Sequence, residues 1–167
     1  MAFEIERKFL VRDESWRKGV QRSTRIRQAY LSNDGKASIR VRIKDGSRAI
    51  LTIKSRGSSL RRLEFEHEIP LLEAEALIGL RHGAVLEKVR HEVPAGCLTW
   101  EIDEFLGENE GLVLAEVELR SEDQTVDLPE WIGVEVTRQA QYYNSALSLL
   151  PFSAWSTARS SAATSVA

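Results

Sequence analysis

Apolar and polar residues alternate from the start of the chain. In AFEIERKFLV (2–11), Phe3, Ile5, Phe9 and Val11 take one parity, and Glu4, Glu6 and Lys8 take the other. Successive side chains of a strand point to opposite faces, so this spacing predicts a β-strand. The pattern returns in RSTRIRQAYL (22–31), ASIRVRIK (37–44), RAILTIKS (48–55) and RRLEFEHEIP (61–70). It resumes in AVLEKVRHEV (84–93), LTWEIDEF (98–105) and GLVLAEVELR (111–120), and PEWIGVEVT (129–137) reads as extended. NDG (33–35) and DGS (45–47) supply turn chemistry, because Asn, Asp and Gly accept positive φ at low cost. DESW (13–16) reads as a turn into a short helical piece, and RGSS (56–59) as a longer loop. LLEAEALIGL (71–80) has apolar residues at helical spacing and ends near Gly79 and Gly83; QAQYYNSALSLL (139–150) predicts a second helix. Strands joined mainly by hairpins predict a mainly β fold with flanking helices: an eight-stranded antiparallel closed β-barrel, which leaves no exposed edge. The two helices are expected to cover its apolar face.

The polar parity is sorted by sign. Arg40, Arg42 and Lys44 share a face against Ile39, Val41 and Ile43, and Lys88 and Arg90 share one against Val89 and Val93. Acids pair in Glu4/Glu6, Glu64/Glu66, Glu101/Asp103 and Glu116/Glu118. Neighbours two residues apart on a strand are roughly 6.6 Å apart. At an effective dielectric near 20, two carboxylates at that separation repel by about 2.5 kcal/mol. A merely solvated face tends to mix its signs, because like charges facing each other are destabilising. Convergent acids of this kind call for divalent cations, and convergent bases call for a polyanion. Oxygen ligands without His or Cys suit Mg²⁺ or Mn²⁺ better than zinc. Arg and Lys suit phosphate oxygens, and the combination is the equipment of phosphoryl transfer.

Composition narrows the field. The chain has 167 residues, enough for one domain with its own core. A net charge of −2 hides 23 basic and 25 acidic side chains, which argues against a general nucleic-acid binder. Cys97 is the single cysteine, so no intrachain disulfide exists, and it is expected to be a small buried hydrophobe. No apolar run is long enough to span a bilayer and no apolar segment follows Met1. A cytoplasmic protein without a membrane partner is expected.

The same residues resemble a known family. EIERK (4–8) matches the ExExK signature of the CYTH superfamily, the triphosphate tunnel metalloenzymes. The similarity continues through QAYL (28–31), IRVR (39–42), LTIKS (51–55), RLEFE (62–66), EKVR (87–90), WEIDEF (100–105) and AEVEL (115–119). WIGVEVT (131–137) and YYNSAL (142–147) look like the short bacterial members. The resemblance implies a triphosphate tunnel domain over 1–152, followed by a frayed Ser/Ala-rich tail over 153–167. It implies a divalent-metal-dependent hydrolase of inorganic tripolyphosphate, using two Mg²⁺ or Mn²⁺ ions and water as nucleophile. The expected partner is a small-molecule triphosphate, with no nucleic acid, and the expected state is a monomer or homodimer. Glu4, Glu6, Asp103, Glu116 and Glu118 are the expected metal ligands. Catalytic roles are expected for Glu4, Glu6, Lys8, Glu64 and Glu66. Lys8, Tyr30, Arg40, Arg42, Lys54, Arg62, Lys88 and Arg90 are expected to bind substrate. The alternatives are an adenylate cyclase or a nucleoside or thiamine triphosphatase on the same fold, a non-catalytic polyphosphate-binding module, and a barrel whose charge is incidental. His67, His91, Trp100, Trp131 and Trp155 are read as packing residues, His82 as a helix cap, and Glu68, Glu92 and Glu101 as rim charges.

Overall fold

Alternation closes into a ring. In a computed structural model describing residues 2–33, 36–55 and 61–155, eight strands form an antiparallel barrel. They are β1 (Ala2–Val11), β2 (Arg22–Ser32), β3 (Ala37–Lys44), β4 (Arg48–Ser55), β5 (Arg61–Ile69), β6 (His82–Ala95), β7 (Leu98–Phe105) and β8 (Val113–Glu118). Their order around the ring is β1-β5-β4-β3-β2-β6-β7-β8, and β8 returns to β1. A ninth strand, β9 (Ile132–Glu135), adds to β1 at Phe9 and Val11. Phe9 already pairs with Ala115 of β8, so β9 lies on the other edge, which β5 occupies at residues 2–5. The β3–β4 hairpin turns through positive φ at Asp45 and Gly46, as its DGS sequence predicts. Asp34, Gly35, the 56–59 loop and the tail from 156 onward lie outside the described residues. No helix among the described residues is long and apolar enough to cross a membrane.

Most of the core is outside the barrel wall. Outward-facing Ile5, Phe9, Trp100, Ile102, Ala115 and Val117 pack beneath Trp16 and Trp131, which come from a 3-10 turn (Ser15–Gly19) and the approach to β9. Trp100 meets Phe9 and Trp131 edge to face at 5.5 and 5.6 Å. Trp100 is fully buried, so truncation to Ala costs about 3–5 kcal/mol. Helix α1 (Leu71–Gly79) lays Ala74 and Ile78 on Ala29, Val41, Ile43 and Ala49. Trp16 and Trp131 thus provide a cover that the two-helix expectation omits.

A further apolar cluster lies within. Leu10, Leu86, Phe105 and Leu114 share the inward parity of Lys8, Lys88, Asp103 and Glu116, and they pack with Tyr30, Leu112, Val136 and Leu147. All lie toward the end of the barrel where β1 and β7 finish and β6 and β8 begin. The interior is therefore apolar at that end and charged beyond it.

The expected helix over 139–150 is broken. A 3-10 turn (Ala140–Tyr142) is followed by extended Tyr143 (φ −72°, ψ 138°) and one helical turn, α2 (Asn144–Leu147). Tertiary contacts override helical periodicity here: the Tyr143 hydroxyl donates to the Thr137 carbonyl at 3.1 Å, and Leu147 enters the apolar plug. Ser148 then accepts a hydrogen bond from the Ala84 amide at 2.7 Å. The close approach depends on Gly83, where φ is +76° and a Cβ would sit 2.5 Å from the Ser148 carbonyl oxygen. Two smaller expectations also change. Cys97 is exposed, because the β6–β7 turn at Gly96 (φ +61°) carries it outward. His82 caps no helix; it opens β6 opposite Tyr30. His91 is structural as expected, 5.1 Å from the Trp16 ring and hydrogen-bonded to Ser23 at 2.8 Å.

Candidate active site

The inward parity of the strands lines a cavity of about 580 Å³. Its charge is distributed by arc. Contiguous β7, β8, β1 and β5 contribute Glu101, Glu116, Glu118, Glu4, Glu6, Glu64 and Glu66. Contiguous β4, β3, β2 and β6 contribute Lys54, Arg40, Arg42, Lys44, Arg22 and Arg90. Lys8 and Arg62 are cations on the acid arc, and Glu92 is an acid on the base arc. Adjacent strands of like sign therefore build one anionic and one cationic wall, and the opening segment EIERK lines the first.

Cations from both arcs hold the acid arc together. Lys8 donates to Glu116 at 2.7 Å, and Arg90 reaches the other Glu116 oxygen at 2.7 Å. Arg62 pairs with Glu6 at 2.6 Å, and Lys54 with Glu4. Burial works against the Glu116 carboxylate, but Lys8, Arg90 and Lys88 hold it well below the usual range. The Lys8 ammonium, disfavoured by burial, is raised overall by Glu116 and Glu6. Compensation fails elsewhere. Burial and neighbouring Glu6 push the Glu4 carboxyl up to about 7 despite Lys54. Glu118 is raised by partial burial and by Glu101, Glu64 and Glu6, and makes no ion pair among the described residues.

The base arc has the opposite surplus. Arg42 is 8% exposed and its Nε donates to the Gln28 amide oxygen at 3.3 Å, with no carboxylate partner among the described residues. Burial, then Arg40 and Arg90, lower its pKa to about 10. Burial and Arg42 also lower Lys44. Arg40 Nε and Gln28 Nε2 are buried donors without an acceptor among the described residues. A buried cation without a counter-ion is costly, and an anionic ligand in the cavity removes that cost.

Two expected site residues are elsewhere. Lys88 and Asp103 are fully buried and off the cavity wall. Asp103 Oδ1 accepts from Arg90 Nε at 2.7 Å, and Oδ2 accepts from Arg90 at 2.7 Å and from Lys88 at 2.5 Å. Both oxygens accept from protein cations and, unlike Glu116, the carboxylate is off the cavity wall, where it orients Arg90. Lys88 spends its ammonium on Asp103 and Asn144, and burial lowers it to about 8. The other expected residues, Tyr30 included, line the cavity. Glu101 and Glu92, read as rim charges, line it too. Tyr143, Asn144 and Ser145 had no assigned role, since strand parity does not reach them. Arg22 and Thr24 were findable, because they share parity with Gln28 and Tyr30 on β2.

The oxygen-only donor set, with two carboxyls raised by burial and by neighbouring carboxylates, fits a hard divalent cation. Among the described residues, no three His, Cys, Asp or Glu side chains are gathered as a ready-made metal site. The ion pairs explain this: Glu4, Glu6 and Glu116 are each engaged by a protein cation.

The CYTH domain family matches residues 2–151. Over 153 residues the chain is 43% identical to an inorganic triphosphatase of Acetivibrio thermocellus, covering 91% of this chain and 97% of that protein. It is 39% identical over 151 residues to an inorganic triphosphatase of Nitrosomonas europaea, covering 87% and 97%. A solved structure of an inorganic triphosphatase superposes with a TM-score of 0.65 at 35% identity, covering 89% of this chain and 96% of that one.

Proposed function

The chain belongs to the CYTH domain family, and from that premise we propose that it hydrolyses inorganic tripolyphosphate in a divalent-metal-dependent reaction. Water cleaves one phosphoanhydride bond, giving pyrophosphate and orthophosphate. The observation that carries this reading is the opposition of the two arcs: among the described residues, a base arc with Arg42 lacking a carboxylate, and an acid arc with Glu118 lacking a cation. A polyphosphate and a divalent cation complete the two together. The inorganic triphosphatases at 43% and 39% identity support the choice of substrate.

Arg40, Arg42 and Arg90 bind phosphate oxygens and neutralise the charge that develops there. Asp103 and Lys88, beneath the wall, hold Arg90 in its aim. Lys54, Arg62 and Lys8 pair with Glu4, Glu6 and Glu116 on the cavity wall, and with substrate bound they would exchange a carboxylate for a phosphate oxygen. The carboxylates so released, with Glu118, would hold Mg²⁺ or Mn²⁺. When bound, such an ion would neutralise charge on the phosphates and lower the pKa of the attacking water. Glu64 and Glu66 line the cavity from β5 and are the carboxylates that would orient the attacking water. We place the reaction in the cytoplasm, on the strength of the single cysteine.

The test is orthophosphate release from inorganic tripolyphosphate with Mg²⁺, with Mn²⁺ and with chelator. Release with either metal and none with chelator is expected; metal-independent release, or none at all, overturns the reading.

A further inference from the structure

The charged cavity ends where the apolar plug begins, and Asn144 lies at that boundary. Leu147, one turn along α2, is fully buried in the plug. Leu86, two residues before Lys88 on β6, is in the plug as well. The Asn144 Oδ1 accepts from the Lys88 ammonium at 3.1 Å. An ammonium has only donors, so this contact fixes which way the amide faces. The Asn144 NH₂ is turned away from Lys88, and it has no acceptor among the described residues. Asn144 lines the cavity with Ser145, whose hydroxyl likewise makes no side-chain hydrogen bond among the described residues. The segment is anchored on both sides, before it by the Tyr143 hydroxyl on the Thr137 carbonyl at 3.1 Å, and after it by Leu147 in the plug and Ser148 against Gly83 and Ala84.

Resting on the tripolyphosphatase reading, we propose that Asn144, assisted by Ser145, is a specificity-determining residue: it receives the terminal phosphate and sets the chain length accepted. Its neutral amide donors suit a phosphate oxygen, while the charged side chains grip the rest of the chain. The plug behind it leaves no path for further phosphates. A linear triphosphate is thereby held in one register from its closed end, with the scissile bond at a fixed position. A longer chain must project from the open end or lose the terminal contact.

The experiment compares wild type, Asn144→Ala and Asn144→Asp by two readouts: turnover of linear tri- and tetraphosphate with Mg²⁺, and metal-free tripolyphosphate binding by calorimetry. Asn144→Ala should raise KM for tripolyphosphate about tenfold with a smaller change in kcat, and should narrow the preference for tri- over tetraphosphate. Asn144→Asp keeps, and charges, the acceptor for Lys88. If the residue served only to hold Lys88, this variant would match wild type. On the proposal it binds tripolyphosphate more weakly than Asn144→Ala, because a carboxylate now faces the phosphate. Wild-type KM in either variant overturns the proposal and leaves the enzyme assignment standing. A wild-type protein that binds but does not cleave tripolyphosphate overturns the enzyme assignment, and the binding series still decides the role of Asn144. Absence of binding by wild type overturns both.

Discussion

Glu6 of β1 and Glu118 of β8 stand directly opposite each other in the antiparallel ladder. Among the described residues Glu6 has a counter-ion, Arg62 at 2.6 Å, and Glu118 has none. Like charges in facing positions weaken a sheet. The protein tolerates this pair at the mouth of a cavity whose other wall carries surplus cations. An acid wall waiting for metal and a base wall waiting for phosphate account for both surpluses.

Glu116 and Glu118 belong to one motif and should respond differently to the same change. Glu118→Gln removes a repulsion and should leave metal-free stability unchanged or raise it by about 0.2–1 kcal/mol. Glu116→Gln takes the counter-charge from buried Lys8 and from Arg90 and should cost roughly 3 kcal/mol. Both should lower metal-dependent turnover by at least about a hundredfold. Urea midpoints and phosphate release check this; equal midpoints for the two variants would refute the ion-pair account.

That difference between neighbours was not legible in the sequence. Parity assigns Glu116 and Glu118 to one face, and the barrel confirms it. What each glutamate meets depends on ring order, which brings Lys8 of β1 and Arg90 of β6 to one of them only. The same holds for Asp103 and Lys88, inward by parity but too close to the plug to reach the cavity. The strands from β1 to β7 were legible because alternation and turn residues are local signals. The 139–150 segment was not, since the Tyr143–Thr137 hydrogen bond and the distant packing of Leu147 in the plug replace helical periodicity.

Arg42 and Arg90 form the matching contrast on the base arc. Arg42→Met removes a buried cation with no carboxylate partner among the described residues and should hold or raise stability, while tripolyphosphate affinity falls at least about tenfold. Arg90→Met takes one of two cations from each of buried Asp103 and Glu116, leaving Lys88 and Lys8, and takes the cation from Glu101, and should cost about 3 kcal/mol. Denaturation and calorimetry of both variants check the pair. Clear destabilisation by Arg42→Met would mean that the protein satisfies that cation internally.

Metal-free stability should fall with rising pH across the range where Glu4 titrates. Its folded carboxyl is raised to about 7, whereas an unfolded glutamate titrates near 4.3 (roughly). Between these values the folded protein keeps a proton that the unfolded chain has lost. The contribution is therefore fully present below about 4.3 and lost as pH rises through about 7. Glu118, also raised, acts in the same direction. Urea midpoints from pH 5 to 7.5 in chelator should decline, Glu4→Gln should flatten the slope, and Mg²⁺ should restore the midpoint at the upper end. A midpoint rising through that window would contradict the assignment of charge.

Gly83→Ala tests the anchor of the C-terminal segment. A Cβ at that position meets the Ser148 carbonyl oxygen at 2.5 Å in a positive-φ conformation. The variant should lose about 1–3 kcal/mol of stability, read as a lowered Tm. An unchanged Tm would mean that Ser148 moves without cost.

The central claim is that the two arcs enclose an inorganic triphosphate. Its most direct test is kcat/KM, at one pH and one Mg²⁺ concentration, for tripolyphosphate, ATP, thiamine triphosphate and pyrophosphate. Tripolyphosphate should exceed the other triphosphates, since few aromatic side chains line the cavity to stack on a base or a thiazolium. Pyrophosphate should be poor, because it fills part of the base arc and forfeits transition-state contacts. Faster turnover of ATP, with cyclic AMP among its products, would contradict the account.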